Sequence, residues 1–185
     1  MSNVNNEQAR TSIEEAKAYV IDSLAETMDL YGVTRSAGNL YGTMYFEEDM
    51  TLDEMREKLG MSKPSMSTGV KKLQEYNIVK QTFRKGTRRQ TFVAEKDFFQ
   101  FFSNFFTNKL LREAKVNLDA IKQAQQKLGH LLEDKDLDEG LRQEAEQTYM
   151  KLEDSKPYYH WLQKLVDSIE SGELFEMIPI DKDDE

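Results

Sequence analysis

Residues 51–76 read TLDEMREKLGMSKPSMSTGVKKLQEY, and residues 78–94 read IVKQTFRKGTRRQTFVA. The first stretch holds two short helices and a turn. Thr51-Leu52-Asp53-Glu54 is a capping box, in which the Thr51 hydroxyl accepts from the Glu54 amide while the Glu54 carboxylate reaches back. A short helix therefore runs to Leu59, and Gly60 supplies the turn. Ser62 caps a second helix, with Pro64 in its first turn, where a missing amide hydrogen costs nothing. After Tyr76 the helical spacing gives way to β-branched and aromatic residues, Ile78 to Phe83 and Thr91 to Val93, around Lys85-Gly86-Thr87. That pattern predicts a β-hairpin. Two helices joined by a glycine turn and followed by a basic hairpin predict a winged helix-turn-helix between about Thr51 and Ala94. In such a unit one helix braces the other against the major groove, and the hairpin reaches the flanking backbone.

Winding the second helix at 100° per residue puts Met66, Val70 and Leu73 on one face. Pro64, Thr68, Lys71 and Lys72 fall opposite, with Ser65 and Ser67 flanking. The apolar face is expected to pack inward and the other to meet DNA. Small hydroxyl residues let a helix sit deep in the groove, and lysines reach phosphates. Arg84, Lys85, Arg88 and Arg89 crowd the hairpin tip, where like charges repel and no structural need explains them. A wing that touches the sugar-phosphate backbone does explain them, with one arginine entering a narrow minor groove.

Outward from this unit the chain reads as helical. Ile13, Ala16, Val20, Leu24, Thr27 and Met28 mark an amphipathic helix from about Glu7 to Leu30, stopped by Gly32. Thr34 or Ser36 caps another that runs to about Phe46, before the acidic loop Glu47-Glu48-Asp49. From Lys96 onward Leu110, Ala114, Leu118, Ile121, Ala124, Leu128 and Leu131 form a near-heptad seam. Leu141, Ala145, Thr148 and Leu152 form a second stripe, and Tyr158, Leu162, Leu165, Val166 and Ile169 a third. Links are expected at Asp134 to Glu139 and around Pro157. The expected fold is mainly α with a small β-hairpin wing, a winged helix-turn-helix plus a helical dimerisation region. Residues 1–33 and 96–180 are assigned to dimerisation, 34–95 to DNA binding and 181–185 to an acidic tail. The helical stripes are too long for a winged helix of this size to cover, so a homodimer is expected.

The net charge of −9 looks wrong for a nucleic-acid binder, since phosphates repel an acidic protein. The average hides a segregation. Between Ser62 and Val93 stand eight basic residues against one acidic residue, Glu75, so this window carries +7 and the rest of the chain −16. That is the footprint of a basic surface on an acidic body. No stretch approaches the roughly 20 apolar residues that span a bilayer, and the polar N-terminus lacks the pattern of a signal peptide. A cytoplasmic protein with no membrane partner is expected. Without cysteine, and with only His130 and His160, neither disulfides nor a metal site nor a cofactor is expected. No glycine-rich phosphate loop or nucleophile elbow points to an enzyme, and Tyr158-Tyr159-His160-Trp161 reads as a packed helix face. A winged-helix module that bridges proteins is the alternative, although such modules usually lose the basic wing.

Phe98, Phe99, Phe101, Phe102, Phe105 and Phe106 share one broad helix face, suited to a core, a dimer interface or, for a minority, a ligand cavity. An aromatic cage suits a quaternary ammonium ligand through cation–π attraction. Tyr31, Tyr41, Tyr45, Phe98 and Phe102 are the candidates, with Phe46 near them in sequence.

The stretches Leu40-Tyr41-Gly42-Thr43-Met44-Tyr45-Phe46, Met50-Thr51-Leu52-Asp53-Glu54-Met55, Leu59-Gly60-Met61-Ser62-Lys63-Pro64-Ser65-Met66-Ser67-Thr68 and Lys85-Gly86-Thr87-Arg88-Arg89 resemble the glycine-betaine and choline-related repressors of the MarR-like winged-helix superfamily. The resemblance covers about residues 10 to 130. It implies a homodimeric repressor of genes for making or importing glycine betaine, joined through its helical ends, with an effector pocket between wing and dimer helices that takes choline or a related ligand. Its implied partner is a double-stranded operator. The implied DNA contacts are Ser65, Ser67, Thr68, Lys71 and Lys72, beside Lys63 and Pro64 at the start of the helix, with Arg84, Lys85, Arg88 and Arg89 in the wing.

Overall fold

The capping box expected at Thr51 forms as drawn from the sequence: Glu54 N donates to Thr51 Oγ1 at 3.2 Å and Thr51 N donates to Glu54 Oε2 at 2.7 Å. The computed structural model describes residues 2–83 and 89–180, with side chains from residue 5. Arg84, Lys85 and Arg88 of the wing and the acidic tail 181–185 lie outside the described residues. The chain divides into two compact units, Met1–Asn104 and Phe105–Glu185.

In the first unit α1 (Ser2–Leu30) and α2 (Arg35–Tyr45) pack closely, because α2 turns glycine toward its neighbour. A Cβ on Gly38 would stand 2.7 Å from the Ala25 Cα, and one on Gly42 3.1 Å from the Ile21 Cα. Thr34 caps α2, accepting from Ala37 N. Then come α3 (Leu52–Leu59) and α4 (Lys63–Glu75), joined through Gly60 in the left-handed region at φ 63°. Asn77, also left-handed at φ 56°, closes α4 and turns the chain into β1 (Val79–Phe83). Asparagine tolerates that conformation better than most residues. β1 pairs antiparallel with β2 (Gln90–Ala94), Val79 opposite Ala94 and Phe83 opposite Gln90.

Met50 joins this hairpin through paired bonds with Phe92, Met50 N to Phe92 O at 2.9 Å and Phe92 N to Met50 O at 2.8 Å. This clasp was not foreseen, since a single bridging residue leaves no period in the sequence. Met28, Leu40, Tyr41, Met44, Met55, Met66, Leu73 and Ile78 are fully buried and form the core of the unit. Of the α1 stripe only Met28 is buried, Leu24 and Thr27 are half-buried, and Ile13, Ala16 and Val20 are exposed, while Ala25 beside the stripe is buried.

α5 (Phe98–Leu132) begins in the first unit, where Asp97 Oδ1 caps it by accepting from Phe99 N and Gln100 N. In the second unit it is followed by α6 (Glu139–Ser171) and the short α7 (Glu173–Met177). Arg142 holds the connection after α5, donating to the carbonyls of Leu132 and Asp134. Ala114 and Ile121 of the expected seam are buried, as are Leu162, Val166 and Ile169 of the third stripe. Gln125 is buried beside that seam, donating from Nε2 to Glu153 Oε2 at 2.8 Å.

Two expectations fail here. The second and third stripes are not separate helices, because α6 runs unbroken through Pro157. Proline removes one amide donor and crowds the carbonyl four residues back, a cost that the turns on either side can carry in a helix this long. Nor is Tyr158 to Trp161 a packed face: Tyr158 is 52% and Trp161 55% exposed, and burial on α6 follows Leu162, Val166 and Ile169 instead. Leu141 likewise stands exposed at the start of the second stripe.

Candidate nucleic-acid interface

α4 owes its position to both ends of the sequence that forms it. Ser62 accepts from Ser65 N at 3.3 Å, its hydroxyl lies 2.9 Å from that of Ser65, and Pro64 occupies the first turn. Met66, Val70 and Leu73 are buried, which fixes the rotation of the helix about its axis. Gly69 faces α2, where a Cβ would meet the Leu40 Cδ2 at 3.0 Å, so the two helices lie close. With that rotation set, Lys63, Pro64, Ser65, Thr68 and Lys71 are exposed, and Ser67 and Lys72 are half-buried. The wheel drawn from the sequence therefore describes the helix as it stands.

Beside the exposed face runs an open groove of about 690 Å³. One wall is the turn at Gly32 and Val33 with the first turns of α2, and the other is α4 from Pro64 to Glu75. Thr34, Ser36, Ser65, Thr68 and Lys71 give it a rim of hydroxyls and positive charge. Small polar groups and an ammonium along a concave edge are what a sugar-phosphate strand needs, since donors to phosphate fix the register of a protein on DNA.

The lysines around α4 differ in their freedom. Lys63 lies 3.2 Å from Asp53 of α3, and Lys80 lies 3.8 Å from Glu95. Lys72 is 2.8 Å from Glu75 and 5.0 Å from the centre of the Tyr76 ring. The hydrogen bond to Glu75 holds its ammonium above the ordinary lysine range. Lys71 has no carboxylate partner among the described residues. Arg89 is exposed at the end of the described part of the wing. The sequence reading missed the carboxylates that hold Lys63 and Lys72. For Glu75 the signal was available, since residues three apart on a helix are neighbours.

The aromatic candidates divide. Tyr41 is fully buried, tilted against Phe101 at 5.1 Å, and donates its hydroxyl to the Glu95 carbonyl at 2.7 Å. Burial pushes its phenol well above the usual tyrosine range. Tyr45 stacks on Phe98 at 5.3 Å and 26°, with Phe46 edge-on to it at 5.2 Å. The start of α5 thus brings Phe98 and Phe101 to the rings of α2, which sequence distance concealed. Tyr31 is half-buried in the turn after α1, and Phe102 is exposed on α5. Tyr45 and Phe98 are the two candidates whose rings the structure stacks on each other.

Residues 98–176 match the family described as GbsR family transcriptional regulator, C-terminal helical hairpin. Over 170 residues, 92% of this chain and 94% of the relative, the chain is 61% identical to the HTH-type transcriptional repressor GbsR of Bacillus subtilis (strain 168). It is 31% identical over 172 residues to the HTH-type transcriptional repressor OpcR of the same organism, covering 92% of this chain and 93% of that one. A crystal structure of a transcriptional regulator shares the fold, with a TM-score of 0.61 at 15% identity over 86% of this chain and 99% of the other.

Proposed function

The chain belongs to the GbsR family of transcriptional regulators, and from that premise we propose that it is a sequence-specific DNA-binding repressor of genes for making or importing the osmoprotectant glycine betaine. The observation that carries the reading is the orientation of α4. Its apolar face is buried by Met66, Val70 and Leu73, so Lys63, Pro64, Ser65, Thr68 and Lys71 are presented outward beside an antiparallel hairpin. In this reading α4 lies in the major groove, with Ser65, Ser67 and Thr68 toward base edges and Lys63, Lys71 and Lys72 toward phosphates. The wing, with Arg84, Lys85, Arg88 and Arg89, follows the adjacent backbone.

The protein acts in the cytoplasm as a homodimer. Residues 34–95 grip the operator, and residues 1–33 and 96–180 join the subunits. Exposed apolar side chains on α1 (Ile13, Tyr19, Val20) and on α5 (Phe98, Phe99, Leu111, Val116) support that division, because isolated monomers rarely leave so much apolar surface in water. Choline or a related quaternary ammonium compound tunes the repressor, and Tyr45 and Phe98 are the best placed of its candidate ligands, beside Tyr31, Tyr41 and Phe102. The open faces of aromatic rings attract a quaternary ammonium group, which has no N–H to donate.

A mobility-shift titration tests this with two duplexes, the DNA upstream of the chain's own gene and a shuffled duplex of equal composition. The upstream duplex is expected to bind at least a hundredfold tighter, with a footprint over an imperfect palindrome and a loss of affinity for Arg89→Ala that shrinks as salt rises. Equal affinity for the two duplexes would refute sequence-specific repression. Sedimentation as a monomer at micromolar concentration would refute the dimer.

A further inference from the structure

The window from Ser62 to Val93 holds one carboxylate among eight basic residues, and that carboxylate, Glu75, lines the groove that Thr68 and Lys71 also line. A negative charge in the groove where a phosphate strand is expected opposes binding, so its place needs a reason. Helix stability offers a weak one. An exposed pair three residues apart contributes little, and Glu75 lies at the helix end where the dipole disfavours an anion. The geometry around Lys72 supplies another. Its ammonium is drawn toward the last turn of α4 by the Glu75 carboxylate at 2.8 Å and the Tyr76 ring at 5.0 Å.

We propose that Glu75 is a specificity-determining residue, which tethers Lys72 and lowers affinity for DNA of arbitrary sequence more than affinity for the operator. Binding to arbitrary DNA rests almost wholly on neutralised phosphates, and the helix lies loosely in a hydrated groove. A lysine already satisfied by a carboxylate gains little there. In the docked complex the base contacts of α4 hold the helix deep in the groove, water is excluded, and a phosphate beside Lys72 competes successfully with an exposed and weak tether. The same pair therefore acts as a brake in the loose complex and yields in the tight one. Lys71, with no carboxylate partner among the described residues, has no such brake.

This inference rests on the DNA-binding reading, and its test separates the two. Affinity for the upstream duplex and for the shuffled duplex is measured by fluorescence anisotropy across salt, for the full chain and for Glu75→Gln, Lys72→Gln and the double variant. The Glu75 side chain is 59% exposed, so the glutamine variant keeps the fold, which circular dichroism verifies. Glu75→Gln is expected to bind the shuffled duplex about three- to tenfold tighter, with a log affinity against log salt slope steeper by about 0.9, the value of one more phosphate contact. Affinity for the upstream duplex rises less, so discrimination falls. Lys72→Gln is expected to cost more in the Glu75→Gln background than in the parent.

Unchanged shuffled-duplex affinity and slope in Glu75→Gln would overturn the tether and leave the repressor reading intact. So would a Lys72→Gln cost that is the same in both backgrounds. A selective loss on the upstream duplex would instead make Glu75 a base reader. If the parent chain bound neither duplex, both readings would fall.

Discussion

Replacing Gly38 by alanine should destabilise the first unit, although alanine is the better helix former. Gly38 lies in the interior of α2, where alanine gains roughly 1 kcal/mol of helix propensity over glycine. Against that gain stands the packing of α2 on α1. The new methyl would sit 2.7 Å from the Ala25 Cα, 3.1 Å from its carbonyl oxygen and 3.3 Å from its carbonyl carbon. All three are backbone atoms, so no rotamer change relieves the overlap and the two helices must separate. Overpacking of a closed core costs about 1–3 kcal/mol, and a contact with rigid backbone falls at the upper end. The net loss is expected to be about 1–2 kcal/mol, which lowers Tm by about 4–16 °C for a unit of this size.

Gly69→Ala is the internal control. Its methyl would meet only the Leu40 Cδ2, at 3.0 Å, and a leucine end can move by a few tenths of an ångström. There the propensity gain and the small strain should nearly cancel, within about 0.5 kcal/mol. Urea unfolding followed by circular dichroism compares the two variants with the parent at equal protein concentration, since dimerisation would make Tm concentration-dependent. A Gly38→Ala protein as stable as the parent, or one no worse than Gly69→Ala, would show that the close approach of α1 and α2 does not govern the stability of this unit.

Tyr41→Phe leaves the Glu95 carbonyl without its 2.7 Å donor and should cost about 1–2 kcal/mol at neutral pH. Because burial raises the folded-state pKa of Tyr41, its contribution is complete below the unfolded value of about 10 and is lost as pH rises above it. Alkaline unfolding curves of parent and variant should therefore converge above about pH 10, and parallel curves would contradict this role for the phenol. Pro157→Ala restores an amide donor within α6 and should raise Tm, by an amount below the roughly 3 kcal/mol that separates proline from alanine in a helix; a lower Tm would mean that the helix needs the proline. Ser62→Ala removes the cap of α4 and should cost about 1 kcal/mol of stability together with a severalfold loss of operator affinity, and unchanged thermal unfolding would show that Pro64 alone starts the helix. Replacing A·T pairs under the wing by G·C should cost about 1–3 kcal/mol per important position, and a substitution series sensitive only in the major-groove half-sites would argue against shape readout.

The parts of this protein that were legible in the sequence are those whose signal is local. Thr51 and Glu54 are three residues apart and satisfy each other, Ser62 precedes Pro64 at a helix start, and Met66, Val70 and Leu73 recur at helical spacing. Each required only neighbouring residues to be read. What escaped was set by distant partners. Met50 clasps Phe92 across 42 residues, and Tyr41 bonds Glu95 across 54, neither with any periodic trace. Pro157 misled for a different reason. A local rule about proline met a helix of 33 residues, in which the turns on both sides outweigh one broken bond. In the candidate interface, the exposed face of α4 was legible from its wheel. The binding of Lys72 by Glu75 was equally local but was passed over, because a count of charges treats each lysine as available.

An acidic chain can act as a repressor when its cations are restrained. Between Lys63 and Tyr76 there is no arginine or asparagine, and the one glutamine, Gln74, is half-buried near the helix end. The strongest bidentate readers of guanine and adenine are absent from the front of α4, so in the proposed complex a base contact by Ser65, Ser67 or Thr68 would discriminate modestly. A repressor built this way cannot afford strong attraction to phosphates, because the genome offers many arbitrary sites for every operator and the ratio of affinities decides occupancy. An acidic body around one basic window lowers that background at long range, and at short range the lysines of the unit are largely held by carboxylates: Lys63 by Asp53, Lys72 by Glu75 and Lys80 by Glu95. Modest readers and restrained cations are thus consistent with each other. Strengthening either one alone would change selectivity in opposite directions, stronger base readers raising it and freed lysines lowering it.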